Sequence, residues 1–262
     1  MGSEHQKVVN HEPRTKHLLL RWTLSEHLVL GLTVLLFFAL APFTPGLISS
    51  ANLLNILGYL LPLFIVAIGM TLVMITGGID LSVTSIIALT SVVGAKLMTT
   101  DGGGTPAAIG VMAMLTVALA VAAHLMLCRT VFGRWLYALG QNATAAHISG
   151  VPVRAMTFTA YVASGFCAAL ASVMLTGRLE TGSPVLGREI LLDIIAAAVL
   201  GGTSLFGGRG NVLPGTLIGA MLTQTIENGL VVINANPYIY PMVTSTVIFA
   251  AVLLESLRKR VK

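Results

Sequence analysis

Hydrophobic positions run along this chain in long blocks, and the breaks between blocks are short, glycine-rich or charged. From Leu53 to Ile75 there is no charged side chain, and comparable runs recur almost to the C-terminus. A run of ~20 apolar residues is what a helix needs to cross a ~30 Å hydrocarbon layer at 1.5 Å per residue. The pattern therefore predicts an all-α, polytopic helical membrane protein with about eight transmembrane helices. The spans fall at 27–43, 53–76, 83–98, 107–127, 156–176, 190–206, 213–233 and 238–256. The third and sixth are short for a complete crossing.

Composition strengthens the membrane reading. Of 262 residues, 55% are hydrophobic and 10% charged, whereas soluble domains carry about 25% charged residues. The net charge of +5 is not gathered into a patch for nucleic acid; the cations sit mainly at membrane edges. With the amino terminus in the cytoplasm, every Lys and Arg except Lys96, Arg178 and Arg188 falls on the inner side. The positive-inside rule then makes both termini cytoplasmic, N-in and C-in. The chain divides accordingly into a cytoplasmic arm (1–26), a single transmembrane domain (27–256) with an inner loop near 129–155, and a basic tail (257–262).

The arm contains Lys7, Arg14, Lys16 and Arg21, and its Leu18–Leu20 run is too short for the apolar core of a secretory signal. His11, Glu12 and His17 approach a zinc-protease motif only superficially. Their spacing does not place both histidines on one helical face, and Pro13 breaks the helix such a site requires. Cys128 and Cys167 read as packing residues, not as a disulfide framework or a metal site. No metal or cofactor is expected.

Two glycine-rich breaks echo each other: Ile75-Thr-Gly-Gly-Ile-Asp-Leu-Ser82 and Leu200-Gly-Gly-Thr-Ser-Leu-Phe-Gly-Gly-Arg-Gly210. Backbone that leaves helical geometry at membrane depth strands N–H and C=O groups unless protein or a wet cavity satisfies them. Gly77 and Gly78 permit the bend, while Asp80 and Ser82 can accept from freed amides and cap the next span. Gly201, Gly202 and Ser204 occupy the corresponding positions of the second break. Either these are turns beside a solute path or they are capped connectors without solute contact. The in-span acids Asp80, Asp193 and Glu227 are costly in lipid and should face the bundle interior. On this topology Asp193 and Glu227 lie toward the outer side, so a wet vestibule accounts for them, as does a helix–helix hydrogen bond at Glu227. His124 reads as packing or interfacial.

The inner loop carries Gly140-Gln-Asn-Ala-Thr-Ala-Ala-His-Ile-Ser-Gly-Val-Pro152. Asn142 suits an N-cap, residues 143–149 give about two turns, Gly150 suits the terminating position, and Pro152 prevents continuation. A short helix with small side chains at the membrane surface is shaped either to enter a partner's groove or to serve as a capped connector. A Gly-Lys phosphate cradle, a Gly-x-Ser-x-Gly nucleophile turn and a metal-ligand cluster are all missing from the sequence. Uphill transport would draw on an ion gradient or on another polypeptide.

At these residues the sequence resembles the permease subunits of bacterial ATP-binding-cassette importers for ribose and related monosaccharides. The resemblance lies in Gly69-Met-Thr-Leu-Val-Met-Ile-Thr-Gly-Gly-Ile-Asp-Leu-Ser-Val83, in Phe132-Gly-Arg-Trp-Leu-Tyr-Ala-Leu-Gly-Gln-Asn142 with Ala145, Ala146, Ser149 and Gly150, in Asp193, and in Leu200–Gly210. It extends from about residue 28 to the tail. It implies a multi-pass subunit of the bacterial inner membrane, paired with a second permease copy or paralogue. It further implies cytoplasmic ATPase subunits seated on the 142–150 loop and a periplasmic sugar-binding protein outside, with ATP hydrolysed on a separate chain. Thr84 stands where the family commonly has glycine, and the chain is shortened relative to the family between Lys96 and Phe132. The competing reading is an ion-coupled secondary transporter with Asp80 or Glu227 as the ion site; a membrane-embedded enzyme would need chemistry that the sequence does not display.

Overall fold

The computed structural model describes residues 29–31, 33–35, 37, 38, 42, 46–98 and 106–260. The expected arm (1–26), with its His11, Glu12 and His17, and much of the first expected span lie outside the described residues. Among the described residues the regular elements are helical and no strand occurs.

Local chemistry sets most of the boundaries. Helix α1 (Ser50–Ile75) starts where the Ser49 hydroxyl accepts from the Asn52 amide at 3.2 Å. It ends where the Thr76 amide bonds back to Val73 and Gly77 takes φ +87°, a left-handed conformation open to glycine without steric cost. Helix α2 (Ser82–Met98) follows at once, then α3 (Pro106–Arg129), α4 (Val131–Gln141) and the six-residue α5 (Ala143–Ile148). Helix α6 (Val153–Leu179) leads through the single-turn α7 (Leu186–Glu189) into α8 (Leu191–Leu200). A π-helical turn (Val212–Thr216) precedes α9 (Leu217–Val232), and a 3-10 turn (Pro237–Ile239) precedes α10 (Tyr240–Arg260).

Helices overlie the second to fifth and the eighth expected spans, with displaced ends. The sixth stops at Leu200, so the rest of 190–206 is turn. The seventh becomes regular at Leu217, because Leu213 is extended (φ −123°, ψ 124°) and Pro214 offers no amide hydrogen. The Asn211 side chain compensates by accepting from the Gly215 amide at 2.6 Å. By length and composition, two helices among the described residues can cross a membrane: Ser50–Ile75 and Val153–Leu179. A third crossing is possible if Ala113–Arg129 and Val131–Gln141, bent by 71°, form one broken span. Ser82–Lys96 and Pro237–Leu253 are shorter apolar stretches.

Helix α1 is the axis of the bundle. It is buried continuously from Leu61 to Ile75 and packs most extensively on α6, with α3, α8 and α9 around its other sides. The α1–α6 seam is built from small residues: Ala160, Ser164, Ala168, Ala171 and Ser172 are buried on α6 at helical spacing. Opposite them lies Gly69, where an added Cβ would sit 2.8 Å from the Ser164 Cα. Close approach of this kind is how helices gain dispersion energy where lipid removes the hydrophobic drive. Polar clips join α6 to α2: the Ser172 hydroxyl donates to the Ile87 carbonyl at 2.8 Å, and Thr176 to Ser91 Oγ at 2.9 Å. On the other flank α8 packs on α9 and α10, and Gly219 of α9 lies so close that a Cβ would fall 2.0 Å from the Ala197 carbonyl oxygen.

Candidate functional site

The first glycine turn is held by its own residues. Gly77 and Gly78 amides return to Met74 and Val73 carbonyls, and the Thr76 hydroxyl also donates to Val73 at 2.7 Å, so the end of α1 is closed by its own turn. Asp80 then caps α2: its Oδ1 accepts from the Ser82 amide at 2.9 Å and from the Ser82 hydroxyl. Asp80 is 1% exposed, and among the described residues its Oδ2 has no hydrogen-bond partner.

The second turn closes α8. The Gly202 and Thr203 amides donate back to Val199 and Ala198, and the loop folds on itself through Ser204 N–H to the Arg209 carbonyl at 3.0 Å. The Ser204 hydroxyl accepts from Phe206 N–H. Gly207 and Gly208 take φ +80° and +72°.

These turns meet. The Gly208 amide donates to the carbonyl of Ile75, the last residue of α1, at 2.8 Å. Helix α4 lies against both. The Tyr137 hydroxyl donates to the Gly210 carbonyl at 2.7 Å and Gln141 Nε2 to the Gly208 carbonyl at 2.9 Å. At Gly140 the approach is so tight that a Cβ would sit 1.8 Å from the Ile75 carbonyl oxygen and 2.3 Å from the Gly208 nitrogen. Three segments distant in sequence thus converge on one contact: the end of α1, the end of α4 and the loop after α8.

Helix α5 is mounted directly on this junction. Asn142 ends α4, with its amide on Ala138, and begins α5, with its side chain accepting from the Ala145 amide at 3.0 Å. Gly150 takes φ +85°. Ala145, Ser149 and Gly150 are exposed, Ala146 is buried beneath them, and Ile148 is 81% exposed.

The remaining acids form a separate group. Asp193, buried at the start of α8, accepts from the Thr244 hydroxyl at 3.2 Å and has the Glu227 carboxyl of α9 as its neighbour. The recorded bonds of Asp80 are to Ser82, so the structure sets Asp193 beside Glu227 and leaves Asp80 with the glycine turns. Tyr137, Gly140 and Gln141 lie in the stretch that carries the resemblance, but the sequence assigns them no role of their own. Tyr137 and Gln141 stand four residues apart, the spacing of one helical face, but their partners are backbone carbonyls 73 and 67 residues away. Sequence reading also passed over the reciprocal amide pair of Asn52 and Asn228, at 2.9 and 3.0 Å, which ties α1 to α9.

The family described as branched-chain amino acid transport system / permease component matches residues 105–254. The chain is 32% identical to a ribose import permease protein of Bacillus subtilis (strain 168), over 86% of this chain and 91% of that one. It is 29% identical to a ribose import permease protein of Escherichia coli (strain K12), over 90% and 94% of the two chains. It is 35% identical to a xylose transport system permease protein of the same organism, over 66% of this chain and 43% of that one. The first two alignments extend over 294 and 305 positions, more than the 262 residues present here. Both relatives therefore carry internal sequence without a counterpart in this chain. No solved structure gives a significant match.

Proposed function

This chain belongs to the family of branched-chain amino acid transport system permease components, and from that premise we propose that it is the transmembrane subunit of an ATP-binding-cassette importer for a monosaccharide. The observation that carries the reading is the similarity over 86% of the chain to a ribose import permease. Ribose and xylose are the first substrates to test, since relatives are named for each. The subunit sits in the bacterial inner membrane with both termini cytoplasmic and pairs with a second permease.

The part played by each site follows from its chemistry. Helix α5 seats in a groove of the cytoplasmic ATPase through Asn142, Ala145, Ser149 and Gly150, whereas Ala146, expected to share that role, is packed into the chain's own core and holds the helix in place. The exposed small side chains of α5 and exposed Ile148 suit the docking role. The glycine turns, with Gly77, Gly78, Asp80, Ser82, Gly201, Gly202 and Ser204, border the inner end of the solute path, and Asp193 lies farther along the same bundle. A periplasmic sugar-binding protein delivers solute from outside. ATP is hydrolysed on the partner chain, so this subunit is a conduit. The ion-coupled alternative through Asp80 or Glu227 is disfavoured because the relatives include a protein named as a probable ABC transporter permease.

The test is co-purification of the chain with the ATPase and binding protein encoded beside it, followed by ATP hydrolysis in liposomes. Hydrolysis stimulated by ribose- or xylose-loaded binding protein supports the reading. A chain that retains no ATPase under conditions that preserve its fold contradicts it.

A further inference from the structure

The convergence of α1, α4 and the loop after α8 has a mechanical consequence. Asn142 is shared between α4 and α5, so α5 is separated from Gln141 by a single residue and any displacement of α5 reaches Gln141 with little slack. Gln141 and Tyr137 lie on one face of α4 and grip the Gly208 and Gly210 carbonyls. Gly208 is held on its other side as well, its amide bonded to the Ile75 carbonyl. One glycine residue is thus hydrogen-bonded to α4 through its oxygen and to α1 through its nitrogen. The space around Gly140 leaves no room for independent sliding. The gripped loop leads back into α8, which carries Asp193, and forward into α9.

We propose that Tyr137 and Gln141 are positioning residues that form a strut, carrying movement of α5 into the glycine loop and through it to α1, α8 and α9. This inference rests on the importer reading above and names the residues through which a motor engaged at α5 acts on the membrane bundle. The two neutral hydrogen bonds act together because they leave one face of α4 and reach two nearby carbonyls of one loop, Tyr137 half-buried and Gln141 exposed at the end of the helix. Side chains that merely filled space at these positions would not need donors.

The test uses the full complex of permease, ATPase and binding protein. Cys128, exposed and free, is replaced by Ser, and an environment-sensitive fluorophore is attached through Phe206→Cys; Phe206 is 58% exposed on the gripped loop. With Tyr137 and Gln141 present, ATP binding to the partner should change the fluorescence. In the double variant Tyr137→Phe with Gln141→Leu, the ATPase should still co-purify and the chain should stay folded, its melting midpoint lowered only modestly by the two lost hydrogen bonds. The ATP-dependent change should be largely lost, because both donors that tie α4 to the loop are gone. Gln141→Glu, which keeps the shape and loses the donor, should behave like Gln141→Leu, and it keeps the test decisive if the double variant misfolds. An undiminished ATP response in a folded double variant overturns the strut, and so does loss of ATPase binding in that variant alone. Failure of the unsubstituted chain to bind the ATPase refutes the importer reading instead.

Discussion

Gly140 shows how much a single position can demand. An alanine there places a methyl group against the Ile75 carbonyl and the Gly208 amide at once, both of them backbone, so relief requires the turns to separate. Overpacking of this kind costs typically ~1–3 kcal/mol, and Gly140→Ala should lower the thermal midpoint of the detergent-solubilised protein. An unchanged midpoint would show that the crossing is looser than drawn. Asp80 makes the opposite case, because its effect is electrostatic and local. Asp80→Asn retains an acceptor for Ser82 but puts an amide where the buried Oδ2 stands. Uptake should fall while the fold survives, and wild-type uptake would reduce the turn to a connector. Asp80 was legible in the sequence because its partner is two residues away. Tyr137 and Gln141 were not, because what they bind is main chain, and main-chain carbonyls carry no sequence signal.

Among the elements, α5 was the easiest to foresee. Asn142, Gly150 and Pro152 are punctuation read from local rules, and the helix runs from Ala143 to Ile148 between them. The start of α9 was harder. Apolar periodicity continues through residues 213–216 while the backbone does not, since Pro214 removes a donor and Asn211 supplies a side-chain acceptor in compensation. The burial pattern of α5 separates docking from folding. Ala145→Arg and Ser149→Arg alter exposed positions and should abolish ATPase co-purification with the melting midpoint unchanged. Ala146→Arg, at a site 4% exposed, should destabilise the chain as well. If both exposed variants still retain the ATPase, α5 is a connector. Between α2 and α6 the clips are individually small: Ser172→Ala removes one hydrogen bond to the Ile87 carbonyl and should cost about 0.6 kcal/mol, the average for polar contacts between membrane helices. A loss several-fold larger, read by unfolding in detergent, would mark that contact as part of a buried network.

Across the whole molecule, sequence patterning conveyed the helical class and the apolar stretches, because hydrophobic length answers directly to the bilayer, while of the eight expected spans two described helices are long and apolar enough to cross, or three if the bent pair is one. It did not convey which helix is central. The burial of α1 from Leu61 to Ile75 depends on what surrounds it, and a helix that is apolar all round reads the same whether it faces lipid or protein. Nor did it convey that the two glycine turns touch, as the bond from the Gly208 amide to the Ile75 carbonyl makes them do. From this arrangement comes the picture of a conduit that stores no energy of its own and is worked from its inner face. Uptake of labelled ribose or xylose into proteoliposomes tests that picture most directly, comparing the chain alone with the chain plus ATPase and binding protein. Accumulation that requires the ATPase and internal ATP, and persists with a protonophore, is the predicted result. Accumulation by the chain alone, driven by a proton or sodium gradient, would contradict it.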